Sequence, residues 1–377
     1  MISVVEVKTR KQWLEFATFP TKLYKDNPHY VPAFISDDAD MANPKKNPNA
    51  KRSIVKAFLA YKDGEIAGRI AGIILLDSPL EEDKTTIRFS RFDVIDDIEV
   101  SKVLFNAIEE MAKENGMSAI HGPWDFNDTG REGMLTFGYD EDASWATLYN
   151  HAYYNDHMAQ LGFVKESGWI EQELFVPGED DPNYARYIKL GEYVKKKFKL
   201  RELCETMSVK QIIKKYGDSF FDCYNDGYKK LDMFVEIKDD VKKQILDQFE
   251  MLINKEFFSV LVDESDRVVA FTILTPAFGK IMKKHDGKTN LPFIFDVLKY
   301  LKKPDKLETT LGAVRSEFLK KGYNAPCCAR MIQKINEHKI GRVCSLPTLE
   351  TNTAVRAQWN AFESKVIKQR QTYIKNI

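Results

Sequence analysis

The run from Leu311 to Pro326 carries the clearest chemical signal in the chain. A strand ends near Val314. A short basic turn follows, with Lys320, Lys321 and Gly322, and Tyr323, Asn324 and Ala325 lead into a helix. The first amides of a helix have no intrahelical acceptors and carry partial positive charge. Glycine lets backbone approach a ligand closely, and two lysines add charge at the same place. Together these features can cradle a phosphate or pyrophosphate. An ordinary strand-to-helix turn, with glycine supplying a positive φ, accounts for the same residues.

A second polar constellation lies in the first half. Trp124 to Glu132 holds Asp125, Asn127, Asp128, Arg131 and Glu132 directly after a strand end. Polar clusters at strand ends can line pockets. With Tyr149, Asn150 and Tyr154 this loop is a candidate substrate site, and a hydrogen-bonded structural loop is the other reading. His151 and His157 are badly spaced for one helix face, so no metal site is expected. The five cysteines, Cys204, Cys223, Cys327, Cys328 and Cys344, show no C-x-x-C spacing and read as free thiols.

The elements that must position these residues recur. Ala57 to Leu76 reads as a hairpin, with alternating apolar residues around Lys62-Asp63-Gly64. Phe257 to Pro276 repeats that order about 200 residues later, roughly one domain length away. Thr85 to Ile95 reads as a third strand. A helix follows, with Asp96 as N-cap, Glu99 three residues on, and a stripe from Val100 to Ala112. Met117 to Gly122 is a fourth strand. In the second half Leu307 to Val314, Ala325 to His338 and Gly341 to Leu346 repeat strand, helix and strand. A last helix with Val355, Trp359 and Phe362 and a final strand then follow. The acidic, proline-bearing segment Pro177 to Tyr184 is the expected boundary.

The order of elements and the glycine turn resemble the GNAT superfamily of acyl-CoA-dependent N-acyltransferases. Its hallmark R/Q-x-x-G-x-G/A is matched by Leu319 to Ala325, with Gly322 central and Ala325 as the small residue opening the helix. Leu319 and Asn324 depart from the pattern, and Pro326 removes one amide donor. Phrases such as GRIAGII (Gly68 to Ile74) and GPWDFNDTGREGML (Gly122 to Leu135) resemble a bacterial subgroup with tandem domains.

The resemblance implies an α/β (α+β) fold of two tandem domains, 1–176 and 177–377. Each would be a mixed, mostly antiparallel sheet flanked by helices. It implies acetyl-CoA or another acyl-CoA as cofactor, held by Val314, Lys320, Lys321, Gly322, Tyr323, Asn324, Ala325 and Asn352. Asn352 matches the asparagine of the family's E-x-N segment. Trp359 stands where the family often has a proton-donating tyrosine. Glu350 is then the nearest candidate general base, and a helix N-terminal acid is its other reading. The first half has Asp96-Asp97 in place of a glycine turn, and acidic residues there repel phosphate.

Of 377 residues, 44% are hydrophobic and 30% charged, with 56 basic and 56 acidic side chains. This balance argues against a nucleic-acid partner. No apolar stretch approaches the roughly 20 residues that span a bilayer, so no membrane partner and a cytoplasmic location are expected. The expected acceptor is a small-molecule amine or a peptide amine, and a homodimer is left open. A non-catalytic ligand-binding protein that keeps the fold is the alternative.

Overall fold

The computed structural model describes residues 1–127, 129–231, 234–352, 355 and 362–377. Strand β1 (Ile2–Glu6) leads to helix α1 (Arg10–Leu23), which Thr9 and Gln12 start with a capping box. Helix α2 (Ile35–Ala39) follows. The hairpin expected in Ala57–Leu76 forms β2 (Ser53–Lys62) and β3 (Glu65–Leu75). Asp63 and Gly64 both take positive φ, the conformation that a two-residue turn needs to match strand twist. After β4 (Thr86–Val94) comes helix α3 (Ile98–Glu114), capped by Asp97 rather than by Asp96. Its apolar stripe buries Val100, Leu104, Ile108, Met111 and Ala112. Strands β5 (Ala119–Gly122) and β6 (Met134–Phe137), helix α4 (Tyr153–Gln160) and strand β7 (Val164–Phe175) complete this half.

The second half opens with helices. These are α5 (Pro182–Lys197), then α6 (Leu203–Thr206) after the short strand β8 (Arg201–Glu202), then α7 (Val209–Tyr228) and α8 (Asp239–Leu252). The second hairpin is β9 (Phe258–Val262) and β10 (Val268–Pro276). Helices α9 (Gly279–Lys284) and α10 (Leu291–Lys302) separate it from β11 (Lys306–Val314). Helix α11 (Ala325–Glu337), strand β12 (Arg342–Ser345), the short β13 (Thr348–Leu349) and the long β14 (Glu363–Asn376) end the chain. The helix read around Trp359 falls mostly outside the described residues.

All these strands join one mixed sheet, in the order β1-β2-β3-β4-β5-β14-β7-β12-β11-β10-β9-β8, with β6 added on β14 and β13 on β7. Most pairs are antiparallel. The parallel ones are β4 with β5 and β11 with β12. The halves exchange strands at the centre. Strand β14 lies between β5 and β7 of the first half, and β7 lies between β14 and β12. Glu171 on β7 is buried there between Lys368 at 2.7 Å and Arg370 at 2.6 Å, both on β14. Burial alone would raise the Glu171 carboxyl, but the two cations outweigh it and hold it at about 2.

Separate apolar clusters lie under α3 in the first half and under α7 in the second. A third cluster joins Tyr24, Val31 and Tyr149 of the first half to Phe278, Phe293 and Val297 of α9 and α10. None of the five cysteines is in a disulfide among the described residues, and all but Cys328 are buried.

Candidate functional site

A strand that runs on past the end of its parallel partner leaves a wedge in the sheet. Strand β11 pairs with β12 from Lys306 to Thr309, and β11 then runs on to Val314 beside β10 alone. One extra residue, Thr310, bulges out of β11 between its partners Ile273 and Leu274 on β10. After β12 the chain turns away through β13, which pairs with β7 at Trp169 and Ile170. The wedge therefore lies between Thr310–Val314 on one side and residues 346–352 on the other.

The turn after β11 leads to the N-terminus of α11. Gly322 has φ +79, and a Cβ placed there would meet only Val194 Cγ2, at 4.0 Å. Asn324 precedes the helix in helical conformation and makes no side-chain cap. By contrast α1, α3, α5, α7 and α10 are each capped by a side chain. Lys320 and Lys321 are exposed and form no ion pair among the described residues. These features favour an anion at α11. Two others narrow the cradle. Tyr323 is buried, stacked between Phe318 at 4.2 Å and Phe198 at 4.5 Å. The Ala325 amide bonds the Gly322 carbonyl. Helix α5 packs directly on this turn, because Gly191 leaves room for Ala325, Pro326 and Ala329.

The predicted acid and asparagine lie on the opposite wall. Glu350 donates its backbone amide to Gly168 and pairs its carboxylate with Lys165 at 2.8 Å. Asn352 Oδ1 accepts from the Val355 amide at 3.2 Å, so this side chain already has a backbone partner.

A carboxylate that the sequence reading passed over sits where the wedge begins. Glu308 lies on β11, paired with Cys344 of β12, and is 4% exposed. Ser144 from the first half donates its hydroxyl to Glu308 Oε2 at 2.7 Å. Burial pushes the Glu308 carboxyl above the usual range, while Lys306 and Lys368 act the other way. Its sequence signal is slight, one acid beside apolar Leu307 at the start of a strand. Only pairing across the halves gives it a setting.

The first half repeats the geometry with different contents. Strand β4 leaves β5 after Arg88 and carries its own extra residue between Asp93 and Ser90. Arg91 sits there at φ 49, which is uncommon for a side-chain-bearing residue. Buried ion pairs hold it, to Asp38 at 3.2 Å and Asp125 at 2.7 Å. Arg69 pairs with the same Asp38 at 2.8 Å and with Asp93 at 2.7 Å. Burial acts to raise Asp38, but Arg69 and Arg91 outweigh it and keep the group ionised. Trp124 donates its amide to Phe89 across the splay. Asp97 bonds the Glu99 amide at the N-terminus of α3, and Lys62 lies 2.6 Å from its carboxylate.

The proposed first-half substrate residues are spread among internal partners. Tyr154 bonds Tyr24 at 2.7 Å and accepts from the Val94 amide. Tyr149 donates to the Tyr139 carbonyl. Asn150 bonds both the amide and the carbonyl of Leu135. Asn127 accepts from Thr129, and Arg131 faces Asp37 and Asp38 electrostatically. Asp128 lies outside the described residues.

No family model matches the chain. It is 26% identical over 381 residues to Protein YghO of Escherichia coli strain K12, covering 96% of this chain and 92% of that protein. It is also 26% identical over 191 residues to the bacterial ceramide synthase of Caulobacter vibrioides strain NA1000 / CB15N, covering 50% of each. Among solved structures, a tandem GNAT protein from the clavulanic acid biosynthesis pathway matches with TM-score 0.53 and 11% identity. That match covers 100% of this chain and 98% of the other. A glucosamine N-acetyltransferase region of a fungal multi-domain β-N-acetylglucosaminidase gives TM-score 0.56 at 13% identity, covering 100% of this chain and 38% of that one. The chain has the fold of the GNAT superfamily.

Proposed function

We propose that this protein is an acyl-CoA-dependent N-acyltransferase whose second half holds the acyl donor. The observation that carries the reading is the open N-terminus of α11 at the end of the β11 wedge, with Gly322 unobstructed and beside it two lysines that form no ion pair among the described residues. Lys320, Lys321, Gly322 and the amides of Tyr323 and Asn324 would hold the pyrophosphate beside Ala325, and Val314 and Asn352 would border the rest of the cofactor. When bound, the acyl-CoA supplies the activated carbonyl that an amine attacks. The protein's own part is to hold the amine and accept its proton.

Two carboxylates are available for that proton. Glu308 is the better match, because its buried setting raises its proton affinity and Ser144 fixes its orientation. Glu350, on the other wall and paired with Lys165, is the second. The relative named a bacterial ceramide synthase supports testing a long-chain amino alcohol as acceptor and a long-chain acyl-CoA as donor. Asn127, Asp128 and Arg131, with Tyr149, Asn150 and Tyr154, remain the first-half candidates to approach the acceptor.

Calorimetry with coenzyme A and acyl-CoAs tests the donor site. Binding that Gly322→Glu weakens by tenfold or more, about 1.4 kcal/mol, is the expected result. No binding to the wild-type protein at millimolar ligand would overturn the reading. Release of free thiol across a panel of amines then separates an enzyme from a fold-retaining binding protein. Glu308→Gln should abolish that release while leaving coenzyme A binding intact.

A further inference from the structure

Helix α10 is apolar on two faces. Its inner face buries Phe293 and Val297 in the cluster shared with Tyr24, Val31 and Tyr149, and Phe293 packs edge-on to Phe34 at 5.8 Å. Its outer face exposes Leu291 (82%), Ile294 (38%), Phe295 (70%) and Leu298 (49%). These positions follow the i, i+3, i+4, i+7 spacing, so they form one continuous stripe along the helix. Scattered exposed apolar residues need no explanation, but a contiguous stripe does. The first half has no such helix, because β3 and β4 are joined there by the short segment 76–85.

The charge around the stripe is equally local. Residues 279–303 hold seven lysines against two aspartates, whereas the whole chain has 56 basic and 56 acidic side chains. Lys288, Lys299, Lys302 and Lys303 are exposed and form no ion pair among the described residues. Asp296 is engaged by Lys284 at 2.7 Å and His285 at 2.8 Å. The surface thus offers apolar side chains bordered by free cations and little acidic charge.

We propose that the outer face of α10 docks the protein on the surface of an anionic lipid bilayer. An interfacial helix needs this composition, with leucine and phenylalanine toward the acyl boundary and lysine toward anionic headgroups. A second copy of the chain fits less well, since it would bring two lysine-rich surfaces together. Among the described residues no helix is long and apolar enough to cross a membrane, so the contact is with the surface only. The inner face anchors α10 to the first half, so the stripe is presented on a fixed frame. This inference goes beyond acyl transfer and does not depend on it.

The test is co-sedimentation of the full chain with phosphatidylcholine vesicles, with and without phosphatidylglycerol. Binding is expected to vesicles containing phosphatidylglycerol and to fall steeply with added salt. The paired change Phe295→Ser and Leu298→Ser should weaken it about tenfold with the thermal transition unchanged, since both side chains face outward. Lys299→Glu with Lys302→Glu should also weaken it, and this variant leaves the apolar packing untouched. No sedimentation with anionic vesicles would overturn the proposal. So would binding that neither variant changes. A dimer in sedimentation velocity that Phe295→Ser dissolves, without vesicle binding, would reassign the face to a second copy. None of these readouts involves turnover, so a failure here is separate from a failure of the acyltransferase reading.

Discussion

The two halves share a frame and differ sharply at the wedge beside the strand that carries a one-residue bulge. In the first half Arg91 and Arg69 fill the bulge with buried pairs to Asp38, Asp93 and Asp125, and Asp97 closes the following helix. In the second half Thr310 bulges beside a strand edge that no other strand pairs among the described residues. The following helix has no side-chain cap and is flanked by lysines. One framework can thus be closed by ion pairs or left open to a ligand, depending on a few residues. The difference also gives the halves opposite electrostatic character at matching helix ends, acidic at α3 and basic at α11.

That comparison can be broken in several ways. The largest effect concerns whether the halves exist apart. Residues 1–176 alone lack β14, which leaves β5 and β7 unpaired along facing edges. This fragment should show no cooperative unfolding by circular dichroism, and co-expression with 177–377 should restore it. Next is Glu171→Ala, which strands Lys368 and Arg370 as buried cations. A loss of about 3–5 kcal/mol in denaturant unfolding is expected. Charge reversal at the two helix ends should be smaller and asymmetric. Lys320→Glu with Lys321→Glu should weaken coenzyme A binding about tenfold, or 1.4 kcal/mol, while Asp97→Asn should leave it unchanged. Asp97→Ala should cost about 1 kcal/mol of stability as a lost cap.

The smallest effect expected is a change in pH dependence. Glu308 has its folded value raised by burial, so its contribution is present below the unfolded value of about 4.3 and is lost as pH rises through the folded value. Glu308→Gln should remove that loss of stability with rising pH. Glu171 runs oppositely, because its folded value is lowered to about 2. Its contribution is present above the unfolded value and disappears as pH falls through the folded one.

What sequence reading recovered was local. The Asp63-Gly64 turn, the α3 stripe and the strand-to-helix turn at Gly322 are each encoded within a few residues. The family resemblance then supplied the fold, and the structure agrees with it. What it missed depends on distance. Asp38, Arg69, Arg91 and Asp125 are separated in the chain and form one network only after β3 and β4 pair. Glu308 becomes conspicuous only when Ser144 arrives from the other half. Asn352 matches a family position, yet its side-chain oxygen accepts from the Val355 amide, which no spacing rule distinguishes from a ligand contact. Tyr149, Asn150 and Tyr154 were grouped by proximity in sequence, but each turns its polar atoms to a different internal partner.

The exchanged strand also bears on how the chain is made. Synthesis runs from the N-terminus, and β14 comprises residues 363–376, which leave the ribosome after β8–β13 of the second half. The first half therefore cannot finish its sheet when its own residues have been made. Strands β5 and β7 must wait, with open edges, until the entire second half has emerged. Strand β14 thus acts as a latch that completes the first half only once the second is present, so a chain that lacks it leaves the first half unfinished.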